Sequence, residues 1–322
     1  MLEPEIAAFV EKASAIYPSH STPLTPPEQR ALYDRYALSL TPPLPAGIEV
    51  EDGELQSRAG HAIRLRLYRS RAVRRDAAVR GTVLFFHGGG FVLGSLDSHQ
   101  HITARIAADT GLDVIAVDYR LAPEHRAPAA HDDCLDVTRA ALERRLPFAS
   151  LELDSLQLVG DSAGATLAAS VALRLRDERA EQRVHGLVLV YPMLGTEPQP
   201  PARDTEAHAP MLTAADVRRF RDLYWGDGSD GTPYPAWTIP LNATRFDALA
   251  PTLALAAEHD PLRDDARVYV ERMRAAAGDA RLWIGTGLVH GCWRALDSSP
   301  GVQRMHDTAC AFLRERAEAR TG

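Results

Sequence analysis

Ser162 stands in Gly160-Asp161-Ser162-Ala163-Gly164, between the apolar run Leu156 to Val159 and the small-residue helical run Ala163 to Leu175. This is a G-x-S-x-G turn from strand to helix, in which a serine adopts strained backbone angles and projects its hydroxyl, while the residues two before and two after it are crowded. Gly160 and Gly164 meet that demand. A serine hydroxyl attacks an acyl carbon only when a base takes its proton, a carboxylate orients the base and donors await the oxyanion. The expected donors are the backbone N–H of Ala163 and those of the glycine loop His87-Gly88-Gly89-Gly90-Phe91, which directly follows the apolar run Val83 to Phe86. His87 is expected to brace that loop by hydrogen bonding rather than to titrate.

Acid and histidine should follow the serine in that order. Asp260 and His290 each come just after an apolar run, in loops at the carboxyl ends of strands, where open parallel sheets carry their sites. Glu258, Asp264 and Asp265 compete for the role of acid; the last two lie past Pro261, inside the next helix, so Asp260 leads. His259 competes as base, but neighbours in extended chain point opposite ways, and it does not face the partner that Asp260 faces. Asp97, His99 and His101 resemble metal ligands in type, yet residues two apart at a helix start share no face. The glycine loop lacks G-x-x-x-x-G-K-[ST], and the chain's one lysine, Lys12, is far away. Neither a metal nor a cofactor is expected.

The elements that must position these residues form an α/β pattern. Short apolar runs at Thr82–Phe86, Leu112–Asp118, Leu156–Val159, Val184–Tyr191, Pro251–Ala256 and Ala280–Ile284 alternate with helical lengths, the signature of a parallel sheet with crossover helices. Before them, Ile63, Leu65 and Leu67 alternate with Arg64 and Arg66 after Ala59-Gly60, which predicts an antiparallel hairpin. Residues 1–46 read as two helices, one from Glu3 to Ile16 and one opened by the capping box Thr25-Pro26-Pro27-Glu28. Residues 194–240, rich in Pro, Gly and Asp around a helix starting near Thr213, are too long for a plain connection and read as an insertion. The arginine-rich stretch from Arg71 to Arg80 reads as a solvated loop.

Composition bounds the function. The 322 residues are 45% hydrophobic and 25% charged, ordinary for one large globular domain with an accessory segment. A net charge of -7 speaks against nucleic acid or an anionic membrane as the main partner. Cys134, Cys292 and Cys310 are an odd number without close spacing and imply neither a disulfide framework nor a zinc site. With no signal-like start and no membrane-length apolar run, a cytoplasmic location is the expectation.

On His87 to Phe91, Leu93-Gly94-Ser95-Leu96-Asp97-Ser98-His99, Asp118-Tyr119-Arg120-Leu121-Ala122-Pro123-Glu124, Gly160 to Gly164, Glu258 to Asp265 and His290-Gly291, the sequence resembles the hormone-sensitive-lipase-like esterases and, among them, bacterial acetyl esterases. The likeness runs from about Arg64 to Phe312. It implies an α/β-hydrolase fold with a mostly parallel eight-stranded sheet flanked by helices. The catalytic domain would be residues 47–193 and 241–322, under a helical cap made of residues 1–46 and an insertion, 194–240, after the sixth strand of the parallel run. It also implies Ser162 as nucleophile, Asp260 as acid and His290 as base, with Gly89, Gly90 and Ala163 as oxyanion donors and Gly88 in support. Many relatives carry phenylalanine where this chain has Cys292, a change that touches packing more than mechanism.

The expected function is hydrolysis of short-chain acyl esters, acetyl to hexanoyl, through an acyl-enzyme. Amide or formamide hydrolysis on the same triad is the alternative, and a non-catalytic receptor of this fold is a further one, which retention of all three triad residues disfavours. Helix faces argue for small substrates: Val217, Phe220, Leu223 and Tyr224 form one apolar stripe, with Asp216, Arg218, Arg219, Arg221 and Asp222 around it. In the first helix Ile6, Phe9, Val10 and Ile16 lie on one side, with Glu3, Glu5, Glu11 and Lys12 around it. Little apolar surface is left to face lipid. Monomer and homodimer both remain open.

Overall fold

The computed structural model describes residues 1–16, 24–71, 80–178, 184–227, 229 and 233–319. The expected arginine-rich loop, apart from Arg71 and Arg80 at its ends, lies outside the described residues. Among the described residues eight strands form one sheet: β1 (Ile48–Gln56), β2 (Ala62–Ser70), β3 (Thr82–Phe86), β4 (Asp113–Asp118), β5 (Leu156–Asp161), β6 (Gly186–Val190), β7 (Thr252–His259) and β8 (Ala280–Val289). Their spatial order is β1-β2-β4-β3-β5-β6-β7-β8, with β2 antiparallel to both its neighbours and every pairing from β4 to β8 parallel.

The continuous apolar runs follow from burial on both faces. Along β3, Leu84 and Phe86 join one core while Val83 and Phe85 join the other; β4 divides Ile115 and Val117 from Val114 and Ala116 in the same way. The first core is closed by α4 (Ala129–Leu142), α5 (Ala163–Asp177) and α8 (Arg263–Ala275), and the second by α3 (Gln100–Thr110) and α9 (Pro300–Glu318). In β2 only Ile63, Leu65, Leu67 and Tyr68 turn inward with Ser70. The alternating arginines reach acids on the flanking strands: Arg64 Nε to Asp118 at 2.9 Å, Arg66 Nε to Asp52 at 2.6 Å and Arg69 Nε to Asp113 at 2.9 Å.

The N-terminal helices are α1 (Pro4–Ile16) and α2 (Pro26–Ser39). At the start of α2 the Glu28 carboxylate accepts the Thr25 N–H at 2.8 Å and the Thr25 hydroxyl at 2.7 Å. Ile6 and Phe9 bury α1 in the second core beside Leu288 and Trp293, and the Glu3 carboxylate accepts the Ser299 hydroxyl and the Gly301 N–H at the start of α9. Helix α1 is therefore fastened beside the last strand. Between β6 and β7 run α6 (Ala202–Thr205) and α7 (Ala214–Trp225). Helix α7 opens on Thr213, whose Oγ accepts the Asp216 N–H at 3.1 Å while Asp216 accepts the Thr213 N–H at 3.0 Å.

Two details differ from the sequence reading. The segment carrying α6 and α7 follows the sixth strand in chain order, but that strand is only the fourth of the parallel set. Strand β8 does not stop at Ile284: it runs through Gly285-Thr286-Gly287, because Leu288 and Val289 beyond them are buried in the second core and the Gly287 N–H is held by Glu258 at 2.7 Å.

Candidate active site

Strand β5 ends at Asp161 and α5 begins at Ala163, so Ser162 is the whole of the turn between them, at φ 53 and ψ -120. Such angles are strained for a non-glycine residue, and the surrounding contacts hold them. The Ser162 N–H donates to Val190 O on β6 at 2.8 Å, and the turn is too tight for side chains at its flanks: a Cβ on Gly164 would lie 1.8 Å from Phe86 O and one on Gly160 2.3 Å from the Gly164 carbonyl.

His290 follows β8 and Asp260 follows β7. The geometry brings both to the serine: His290 Nε2 is 2.9 Å from Ser162 Oγ, and His290 Nδ1 is 2.7 Å from Asp260 Oδ2. Asp260 is fully buried, and its other oxygen accepts the Leu262 N–H at 2.8 Å, so neither carboxylate oxygen is left without a donor. The Tyr191 ring packs 4.6 Å from the imidazole, centroid to centroid.

The competing residues face elsewhere. Asp265 is buried, and its oxygens accept the N–H groups of Leu194 at 2.7 Å, Gly195 at 3.1 Å and Gln199 at 2.8 Å; burial pushes its carboxyl up to about 7 against these donors. Asp264 accepts the Ala202 N–H at 2.7 Å and Arg267 Nε at 2.8 Å, and despite burial these contacts hold it below the ordinary carboxylate range. Both thus bind the segment entering α6. Glu258 accepts the Gly287 N–H, and His259 Nδ1 lies 3.2 Å from Glu206 Oε2.

The glycine loop leaves β3 alongside the elbow. Gly89 and Gly90 have φ of +123 and +61, open to glycine and rarely to other residues. Among the described residues, neither N–H has a backbone acceptor, and the Ala163 N–H, first in α5, has no intrahelical one. The Gly88 N–H is directed away from this cluster, donating to Asp161 Oδ1 at 2.9 Å. His87 is buried, with Nδ1 2.9 Å from Gly88 O and its ring stacked 4.2 Å from Tyr119 and 5.3 Å from His99. Burial, with His99 beside it, pushes its pKa down to about 4, so it is neutral near pH 7. Above the loop, a Cβ on Gly90 would meet the Phe220 ring of α7 at 2.4 Å. Cys292 is buried, and burial pushes its thiol well up, away from the thiolate that a nucleophile requires.

Phe220, part of the expected apolar stripe, covers Gly90, and two residues that sequence reasoning did not single out belong to the site's surroundings: Tyr191 as the wall of His290, and Arg294, buried behind His99. Arg294 carried a signal, a charge in the otherwise apolar run Cys292-Trp293-Arg294-Ala295-Leu296. His99, set aside as a metal ligand, lies with Nε2 3.6 Å from Asp161 Oδ1; His101 lies 3.0 Å from Asp297.

A doubly covered parallel sheet with an antiparallel start and a serine in the turn after β5 defines a class of hydrolase. Residues 83–294 match the family described by the alpha/beta hydrolase fold, and the chain belongs to that family. It is a carboxylic ester hydrolase, in line with its resemblance to the hormone-sensitive-lipase-like esterases. It is 31% identical over 296 residues to an ethyl acetate hydrolase of Pseudomonas putida, covering 90% of this chain and 91% of that one. It is also 38% identical over 216 residues to the esterase LipI of Mycobacterium tuberculosis, covering 67% of each. Among solved structures, a hyperthermophilic esterase from the archaeon Pyrobaculum calidifontis is similar with a TM-score of 0.87 and 29% identity, over 98% of this chain and 99% of that one. No helix among the described residues is long and apolar enough to cross a membrane.

Proposed function

We propose that the protein hydrolyses short-chain acyl esters through an acyl-enzyme on Ser162. The observation that carries this reading is the continuous path from Ser162 Oγ through His290 to the buried Asp260, at 2.9 and 2.7 Å. Ser162 Oγ attacks the ester carbonyl carbon as its proton passes to His290 Nε2, while Asp260 holds the Nδ1–H tautomer and balances the imidazolium. The carbonyl oxygen, now negative, receives the N–H groups of Gly89, Gly90 and Ala163, with Gly88 and His87 supporting the loop from behind. Collapse expels the alcohol, which takes the proton from His290. Water then repeats the sequence on the acyl-enzyme and releases the acid.

We read residues 1–46 and 194–240 as the cap over this site. Phe220 lies on Gly90, and the apolar stripe of α7 turns inward: Val217 and Tyr224 are buried and Phe220 and Leu223 half-buried, while Arg218 and Arg219 are exposed. Such a cap supports a small acyl pocket. Each buried methylene contributes about 0.8 kcal/mol until the pocket is full, after which a longer chain has to displace the cap. In a series of p-nitrophenyl esters, kcat/KM is expected to peak at acyl chains of about two to six carbons and to fall beyond about eight, with no jump at the solubility limit. A maximum on long-chain triglyceride emulsions would replace this reading with a lipase.

A further inference from the structure

We propose that Arg294 is a positioning residue for the oxyanion loop, acting through His99 and Asp161; the proposal rests on the triad reading above. Arg294 lies in the turn after His290 and is buried, as are its chain neighbours Cys292, Trp293, Ala295 and Leu296. Burying a guanidinium is unfavourable, and a carboxylate in contact normally offsets it. Among the described residues Arg294 has no such contact. Its hydrogen bonds go to Ser98 O, to the Tyr33 hydroxyl at 2.9 Å and to His99 Nε2 at 3.2 Å. Its charge also sits over two rings of α2, 5.2 Å from the Tyr33 centroid and 5.8 Å from that of Tyr36.

Beyond the His99 imidazole lies a carboxylate. Asp161 Oδ1 is 3.6 Å from the same Nε2 and accepts the Gly88 N–H at 2.9 Å. A guanidinium only donates, so His99 Nε2 accepts from Arg294 and the ring proton resides on Nδ1, directed to Ser98 Oγ at 2.9 Å. Ser98 in turn donates to Ser95 O at 3.1 Å. With His99 neutral, Arg294 is the cation that balances the buried Asp161, and Asp161 is the group that holds the first peptide of the glycine loop. The orientation of the Gly88 peptide sets how Gly89 and Gly90 follow it. Loss of the cation therefore acts where negative charge appears on the substrate oxygen, in the transition state, rather than on ester binding.

Helix α2 is fastened to the same stretch. Arg30 donates to Val92 O and Ala122 O, both at 2.8 Å, and the Ser95 hydroxyl donates to Asp34 at 3.1 Å. Helix α2 thus supplies the floor under Arg294.

The test uses the full chain and p-nitrophenyl butyrate. A serine-directed phosphonate is first applied to the wild type; absence of its mass on the Ser162 peptide would remove the triad reading, and this proposal with it. With labelling intact, Arg294→Met, Arg294→Lys, Asp161→Asn and the double variant Arg294→Met/Asp161→Asn are compared, each checked for folding by circular dichroism. Arg294→Met is expected to lower kcat about 10- to 100-fold, less than loss of a direct oxyanion donor, while KM changes less than about threefold. Arg294→Lys recovers part of that loss, because it keeps the charge without the fork. The double variant is expected to be no slower than Asp161→Asn by more than about twofold, since both changes act through one contact. Wild-type kcat in Arg294→Met, a loss confined to KM, or losses that multiply in the double variant would each overturn the proposal. Where Arg294→Met does not fold, Arg294→Lys takes its place in the same cycle.

Discussion

Asp260 and Asp265 belong to one short stretch, Asp260-Pro261-Leu262-Arg263-Asp264-Asp265, and both are completely buried. Asp260 sits in the loop after β7 and meets an imidazole; Asp265 sits in the first turn of α8 and meets three backbone N–H groups of the segment leading to α6. Residue type and burial do not distinguish them. The partner does: an imidazole beside a carboxylate is oriented and, once protonated, charge-balanced by it, whereas a row of amide donors makes the carboxylate an anchor for a chain segment. Pro261 and the helix start turn neighbouring aspartates in different directions, so one motif can meet His290 and hold the segment leading to α6 together.

Ser162→Ala should leave a folded protein with activity lower by several orders of magnitude, on the order of a million-fold; turnover of p-nitrophenyl acetate by the purified variant measures it. Next, Asp260→Asn should lower kcat by about 10⁴-fold, the cost of a wrongly held imidazole tautomer, while Asp264→Asn lowers it by less than about tenfold. Reversal of that order, seen in parallel steady-state assays, would transfer the acid role to the helix.

Stability should show the opposite ranking. Asp265→Ala strands three amide donors, each costing about 1–3 kcal/mol when buried and unmet, so thermal unfolding should move to a clearly lower temperature, while kcat per folded molecule falls far less than in Asp260→Asn. An unchanged Tm would mean that these amides find other acceptors. The smallest effect is in the pH dependence. Burial raises the Asp265 carboxyl from its ordinary 3.8 to about 7, so between those values the folded protein binds more protons here than the unfolded chain does. The stability from this group is present below about 4 and is lost as pH rises through 7. The Tm of the wild type minus that of Asp265→Asn should therefore shrink across that window, and a difference that grows would refute the assignment.

Much of the site was legible because its motifs encode local backbone geometry. The glycines around Ser162 and in the His87 loop are dictated by contacts within or next to the turn that carries them, and Asp260 and His290 announce themselves by following apolar strands. The capping box at Thr25 and the alternation of Ile63, Leu65 and Leu67 are local in the same sense. Where a signal was ambiguous, burial at a distance decided. Gly285-Thr286-Gly287 reads as a loop, yet Leu288 and Val289 draw it into β8.

The sharp turn at Ser162, the open glycine loop, the apolar strands and the inward stripe of α7 follow from local sequence, since each depends on the conformational freedom or hydrophobicity of neighbouring residues. Which aspartate reaches His290, the turn of the Gly88 N–H to Asp161, the seat of Phe220 on Gly90 and the place of Arg294 behind His99 come instead from long-range packing. These contacts join residues far apart in the chain, brought together by the crossing order of the sheet and the packing of helices on its faces. Side-chain periodicity says which face of an element is buried; what that face meets is set by the other elements packed against it.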